Sequence, residues 1–249
     1  AAGSPTPLAM FVAVLLITAG FGYKIAAVPF HFWAPDVYEG APTPITAFLS
    51  VGPKAAGFAI LLRFFNTGLS TASGDMWYSI ANLNWPQLLA VLAAATMTLG
   101  NLIAIVQNNV KRLLAYSSIA HAGYALMGAV VLSSDGVFAT MFYLVVYYLM
   151  NLGAFLVVIV FQQLVGSERI QDYRGLGFRA PAVAVAMTIF LFSLTGIPLA
   201  IKDNILIQGQ RVTCGSRILE GYRATYDAEA IEKLKVHGAV FLGRTNMDE

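Results

Sequence analysis

The sequence predicts an all-α polytopic membrane bundle of about six transmembrane helices, one of them broken, followed by a small truncated α/β soluble tail. Three observations carry that fold class. Of 249 residues, 58% are hydrophobic and only 11% charged, with a mean hydropathy of +0.70, outside the usual soluble range. Apolar runs of about 20 residues recur, the length that crosses a hydrocarbon core of roughly 30 Å at 1.5 Å per residue. The charges are also unevenly placed, with 14 of the 28 Lys, Arg, Asp and Glu residues in the last 48 positions.

The first run extends from Leu8 to Phe30, or to about Val37 if it is interrupted, and PFHFWAPDVYEGAPTP, with four prolines in 16 residues, predicts the interruption. The following runs are Ile45–Phe65, Leu88–Gln107, Leu113–Leu132, Val137–Leu164 and Ala180–Ala200. Leu, Val, Ala, Ile and Phe fill them without a polar face, which predicts bundle helices and not amphipathic surface helices. Lys111 and Arg112 follow the third run, and Arg169, Arg174 and Arg179 follow the fifth, whereas Arg63 alone lies at the opposite ends. The positive-inside bias therefore places the 108–112 and 165–180 loops in the cytoplasm. The first span then runs inward and the sixth outward.

From Lys202 the composition changes. Segments 199–207 and 239–243 read as short strands, with Asp227 capping a helix over 228–236 and Gly238 just past its end. Strand, helix and strand in under 50 residues are too few for an independent core. A net charge of +2 gives no electrostatic footing for nucleic-acid binding. The single cysteine, Cys214, excludes an internal disulfide and a cysteine-based metal cluster. AAGSPTP carries no basic region ahead of Leu8, so no cleavable signal is expected and the start reads as the interior of a longer chain.

Two lysines lie inside apolar segments, and an ionisable group at membrane depth is a functional-site hypothesis by default. Lys24 lies near mid-membrane if Pro29 breaks the helix and a second half continues through His31–Val37. If the helix simply ends at Phe30, its ammonium reaches the interface by snorkelling. Lys54 lies about 10 residues, roughly 15 Å, from either end of its span, next to Pro53. Burial draws the charged and neutral forms of a lysine together, which suits a group that takes up and releases a proton. The alternative is a lysine fixed by a carboxylate from a neighbouring helix; the six spans offer no obvious partner, so it would come from residues outside this sequence. Ser117, Ser118, His121 and Tyr124 share one helical face, as a proton wire or as polar glue between helices. Asn101, Gln107 and Asn151 read as packing groups, and Lys111 and Arg112 as topology determinants.

Three blocks in consistent order are similar to the N-subunit family of proton-pumping NADH:quinone oxidoreductase, respiratory complex I. They are KIAAVPFHFWAPDVYEGAPTPITAFLSVGPKAAGF, GNLIAIVQNNVKRLLAYSSIAHAGY and YRGLGFRAPAVAVAMTIFLFSLTGIP. The resemblance covers residues 8 to about 198. It implies an antiporter-like, multi-pass subunit of the membrane arm, in the bacterial inner membrane or its equivalent, with other membrane-arm subunits and the lipid bilayer as partners. The family's broken-helix lysine matches Lys24 and its following-helix lysine matches Lys54, in a proton pathway that includes His121. No cofactor is expected on this chain; NADH, flavin, iron–sulfur clusters and quinone belong to other subunits. The family's buried glutamate comes from an earlier helix, and after GIP the family continues to a GF-x-GK lysine where this sequence reads LAIKDN.

GIPLAIKDN and the residues to Glu249, with TCGS, YDA and GAVFLGRTNMDE in order, are instead similar to the amidase-signature family, specifically the A subunit of glutamyl/aspartyl-tRNA amidotransferase. Val212 and Arg244 stand where that family has Thr and Lys. By this resemblance Lys202 matches the catalytic lysine, which acts through a bridging serine on a nucleophilic serine, both in a Gly/Ser-rich segment downstream of the NMDE motif. Without them Lys202 is expected to be inactive. Cys214 is no substitute, because His237 is separated from it by the predicted helix. The expected organisation is a membrane domain over 1–198 and an amidase-signature fragment over 199–249, a chimera joined at GIPLA. The alternative functional reading is thus an amidase fragment that binds no nucleic acid.

Overall fold

The computed structural model describes residues 7–80, 84–194, 198–202, 223, 225 and 240–245. The helices α1 (Pro7–Ile25), α2 (Trp33–Gly40), α3 (Thr43–Gly68), α4 (Trp85–Ile105), α5 (Val110–Val130) and α6 (Ser134–Val165) make up most of the first of two units, which ends at Phe190. All but α2 are long and apolar enough to cross a membrane, which makes this a polytopic bundle with its broken helix where the prolines place it.

The break is well satisfied. α1 ends at Ile25; Ala26 turns the chain with φ 58°, Val28–Pro29 is cis, and α2 resumes at Trp33. The Val28 amide donates to Thr96 Oγ1 of α4 at 3.0 Å, and the Trp33 indole donates to the Tyr23 carbonyl at 3.0 Å. Freed backbone groups at membrane depth persist only where protein or a polar cavity receives them, and here side chains do.

Small residues set the helix spacing. A Cβ on Gly100 would fall 2.7 Å from the Ala120 amide, and one on Gly123 would fall 2.8 Å from the Met97 amide, so α4 and α5 approach backbone to backbone. Gly128 of α5 meets Thr140 and Gly136 of α6 in the same way. Asn109 caps α5 by accepting from the Lys111 and Arg112 amides at 2.8 and 3.2 Å. Ser133 caps α6, which Gly166 ends in the left-handed conformation. A hairpin the sequence reading passed over, β1 (Ser70–Ser73) with β2 (Met76–Ser79), turns at Gly74 with φ 61° and is tied to the α5–α6 turn by Trp77 and Ser134 backbone bonds.

The span expected over Ala180–Ala200 takes a different form. After the short α7 (Leu176–Arg179), α8 covers only Pro181–Leu194, 14 residues, and the chain is already extended at β3 (Pro198–Lys202). Pro198 has no amide to continue a helix, and 14 residues rise only about 21 Å. In the second unit, Leu191–Glu249, β3 pairs parallel with β4 (Val240–Thr245), with Lys202 opposite Thr245. The strands expected at 199–207 and 239–243 thus appear as Pro198–Lys202 and Val240–Thr245. The helix expected over 228–236, Cys214 and His237 lie outside the described residues.

Candidate functional site: a buried lysine and its polar seam

Lys54 lies on α3 just after Pro53 and is 3% exposed. Its ammonium nitrogen donates to the Ser118 carbonyl at 2.8 Å and to Ser118 Oγ at 2.5 Å. Both acceptors are neutral, and among the described residues no carboxylate is in contact with the amine. A small cavity beside it is lined by Lys54, Phe58, Ser118, His121, Leu144 and Tyr147, among others, with about 10 Å³ open to a water centre, on the order of one molecule.

His121 stands one turn beyond Ser118 and lines the same cavity. Its Nδ1 shares a short hydrogen bond with the Tyr143 hydroxyl, and its ring packs on Tyr147 with centroids 4.9 Å apart and edge-on to Tyr124. Tyr124 in turn accepts from Asn101 at 2.8 Å. Of the residues read from SSIAHAGY, Ser118 and His121 line the cavity, whereas Ser117 and Tyr124 do not. The phenols of Tyr38 and Tyr147 lie toward Ser118.

Lys24 is placed differently. It occupies the last turn of α1 with its side chain exposed and its stem against Gly57 of α3, and it does not line the Lys54 cavity. Lys202 belongs to the second unit. Among the described residues no group of three His, Cys, Asp or Glu side chains could hold a metal ion.

A charged cluster at the start of α5 went unforeseen. Lys111, 3% exposed, pairs with Glu168 at 2.9 Å and donates to the Ala41 carbonyl at 2.9 Å. Arg112 bridges Asp36 at 2.7 Å and Glu39 at 2.8 Å, clasping α2 to α5. Asn109 donates to both Glu39 and Glu168 at 3.3 Å. The sequence signal was present: two basic residues capping a helix, and acids at 36, 39 and 168. Spacing alone did not pair residues 57 to 76 positions apart. In the adjoining loop, burial against Phe161 pushes the Tyr173 phenol up.

The family described as NADH:quinone oxidoreductase/Mrp antiporter, TM, matches residues 3–207, and the family described as Amidase matches residues 190–249. The chain is 59% identical over 196 residues to NADH-quinone oxidoreductase subunit N of Anaeromyxobacter sp. (strain Fw109-5), covering 78% of this chain and 38% of that protein. It is 54% identical over 191 residues to subunit N 2 of Chloroherpeton thalassium, covering 77% and 37%. It therefore spans under two fifths of the length of these relatives. Among solved structures it is similar to respiratory complex I from Thermus thermophilus, with 38% identity, TM-score 0.58 and coverage of 80% of this chain and 40% of that one. The Mrp complex from Dietzia sp. gives 26% identity, TM-score 0.65 and coverage of 78% and 34%. A match over most of its residues, with relatives of more than half identity, means that the chain belongs to the NADH:quinone oxidoreductase/Mrp antiporter transmembrane family.

Proposed function

We propose that this chain is part of a proton-translocating membrane-arm subunit of NADH:quinone oxidoreductase, with Lys54 as a proton carrier and His121 as its neighbour in the pathway. The observation that carries the reading is the environment of Lys54: a buried amine held by two neutral oxygens beside room for about one water. A lysine fixed as structural glue would be expected against a carboxylate; among the described residues this one has no ion pair to break when it gives up its proton. Ser118 accepts from the ammonium, and its hydroxyl can turn to donate to the neutral amine. Lys24 belongs to the same pathway from its place beside the helix break. Its exposed head fits a partner on another helix of the parent subunit. The apolar outer faces of α1 and α4 suit lipid and neighbouring membrane-arm subunits, and NADH, flavin, iron–sulfur clusters and quinone are the business of those other subunits.

The test is Lys54→Ala in the full-length parent subunit, within its complex, reconstituted in vesicles. Proton pumping is expected to fall while the complex still assembles; unchanged pumping would reject the role.

The match over residues 190–249 favours a second reading for the tail. Residues from about 199 are read as an amidase-signature fragment of the tRNA amidotransferase A-subunit type, joined to the membrane domain near Pro198, with Lys202 in the position of that family's catalytic lysine. The parallel pairing of β3 with β4 is compatible with a piece of α/β sheet. Lysine alone does not perform acyl transfer, so no amidase activity is assigned. Ammonia release from glutamine by this chain would contradict that. Amplification of genomic DNA across the Pro198 codon tests the junction: a continuous natural gene would end the chimera reading.

A further inference from the structure

A polar cleft on the loop face takes no part in the environment of Lys54. It has a volume of about 390 Å³ and is lined by Glu39, Asn108, Asn109, Arg169 and Gln171, within the roughly 300–1,000 Å³ of small-ligand sites. Main chain fixes its walls. The Val110 amide donates to the Glu168 carbonyl and the Ile170 amide to the Asn108 carbonyl, each at 2.9 Å, with Asn109 and Arg169 bridged between them. Asn108, Arg169 and Gln171 are exposed on that fixed backbone.

The depth of the cleft follows from three helix ends. α4 closes at Ile105, α5 opens at Val110 and α6 closes at Val165, so residues 108–109 and 169–171 lie just outside the apolar spans, at the level of lipid headgroups. Ile105 and Val106, three and two residues before Asn108, are 79% and 70% exposed, an apolar surface that leads up to a polar wall. Charge narrows the occupant. Arg112 is taken by Asp36 and Glu39, and Lys111 by Glu168, whereas Arg169 enters no ion pair among the described residues. With Arg169 counted, three cations face three carboxylates, and Asp172 and Arg174 further along the loop also cancel. A balanced rim does not select a net anion; it suits a group with one charge of each sign. A guanidinium meets phosphate through two parallel N–H donors. The Glu39 carboxylate receives Asn109 at 3.3 Å and Arg112 at 2.8 Å, two of about four lone-pair positions, which leaves room to accept from an ammonium.

We propose that the cleft binds the phosphoethanolamine headgroup of a membrane lipid. Arg169 takes the phosphate with the Asn108 and Gln171 amides donating beside it, Glu39 takes the ammonium, and the acyl chains lie along Ile105 and Val106. A choline headgroup has no N–H to donate to Glu39, and a glycerol headgroup has no cation, so phosphatidylethanolamine is preferred to both. The site goes beyond the proton role of Lys54 and stands or falls independently of it.

The test uses the full-length parent subunit in its complex, in phosphatidylcholine bilayers that contain a trace of a photoreactive lipid with a diazirine on its acyl chain. Probes with ethanolamine, choline and glycerol headgroups are compared, labelled peptides are identified by mass spectrometry, and intact complex is quantified in the same samples. The peptides carrying Ile105, Val106 or Arg169 are expected to take up the ethanolamine probe roughly tenfold more than the other two, the factor that one hydrogen bond to a charged group supplies. Arg169→Gln should lower that labelling by a similar factor and Arg169→Lys should restore part of it. Glu39→Gln should keep labelling and erase the preference for ethanolamine over choline. Should Arg169→Gln fail to assemble, Asn108→Ala carries the comparison, because the Asn108 carbonyl that fixes the wall is kept. Equal labelling by the three probes, or no response to the cleft variants, would mean ordinary boundary lipid and overturn the site. Suppression by soluble glycerophosphoethanolamine as effective as that by unlabelled phosphatidylethanolamine would assign the cleft to a soluble ligand and overturn the lipid.

Discussion

At the scale of residues, the bundle distinguishes two kinds of cation. Lys54 has neutral acceptors and a place for water, whereas Lys111 and Arg112 are held by carboxylates. The two paired cations differ in worth. Glu168→Gln strips the carboxylate charge from Lys111, which is buried, and hydrogen bonds to charged groups contribute about 1.5–3 kcal/mol. Thermal unfolding of the full-length subunit in detergent should show a loss of that order. Arg112 is about a third exposed and Asp36 mostly exposed, so Asp36→Asn should cost about 0–1 kcal/mol, less at high salt. Asn109→Ala removes the α5 cap and should cost about 1 kcal/mol. A cost well above that would reflect its second job, bridging Glu39 and Glu168.

At the scale of elements, the spans were legible because a 20-residue apolar run has few alternatives in a membrane. Their starts were less so: the runs expected from Leu113 and Val137 begin as helices at Val110 and Ser134, behind the caps Asn109 and Ser133. The broken helix could be read from its prolines. What periodicity could not supply was the rotation of each helix about its own axis. That rotation decides that Ser118 meets Lys54, that Ser117 does not, and that Lys24 turns away from the cavity. Of the sixth run, expected over Ala180–Ala200, the described residues are helical over Pro181–Leu194 and extended from Pro198. The α4–α5 contact supplies a clear packing prediction. Gly123→Leu must push against the backbone of Ala93 and Met97, and overpacking typically costs about 1–3 kcal/mol. With so little room to relax, the full-length variant should unfold at visibly lower temperature, while Gly20→Leu, with open space at its Cβ, should not.

At the scale of the whole molecule, the two units carry two family matches, and only the first holds a described site. In that unit a buried lysine, Ser118 and a histidine set among tyrosines line one small cavity. The direct test is the ζ-nitrogen resonance of Lys54 in the full-length subunit, labelled with 15N-lysine and held in bilayers, with Lys54→Ala identifying the signal. The account predicts contact with exchangeable water and passage between ammonium and neutral amine as the external pH is varied. A signal that stays ammonium throughout, shows no water contact and reports a neighbouring carboxylate would contradict it.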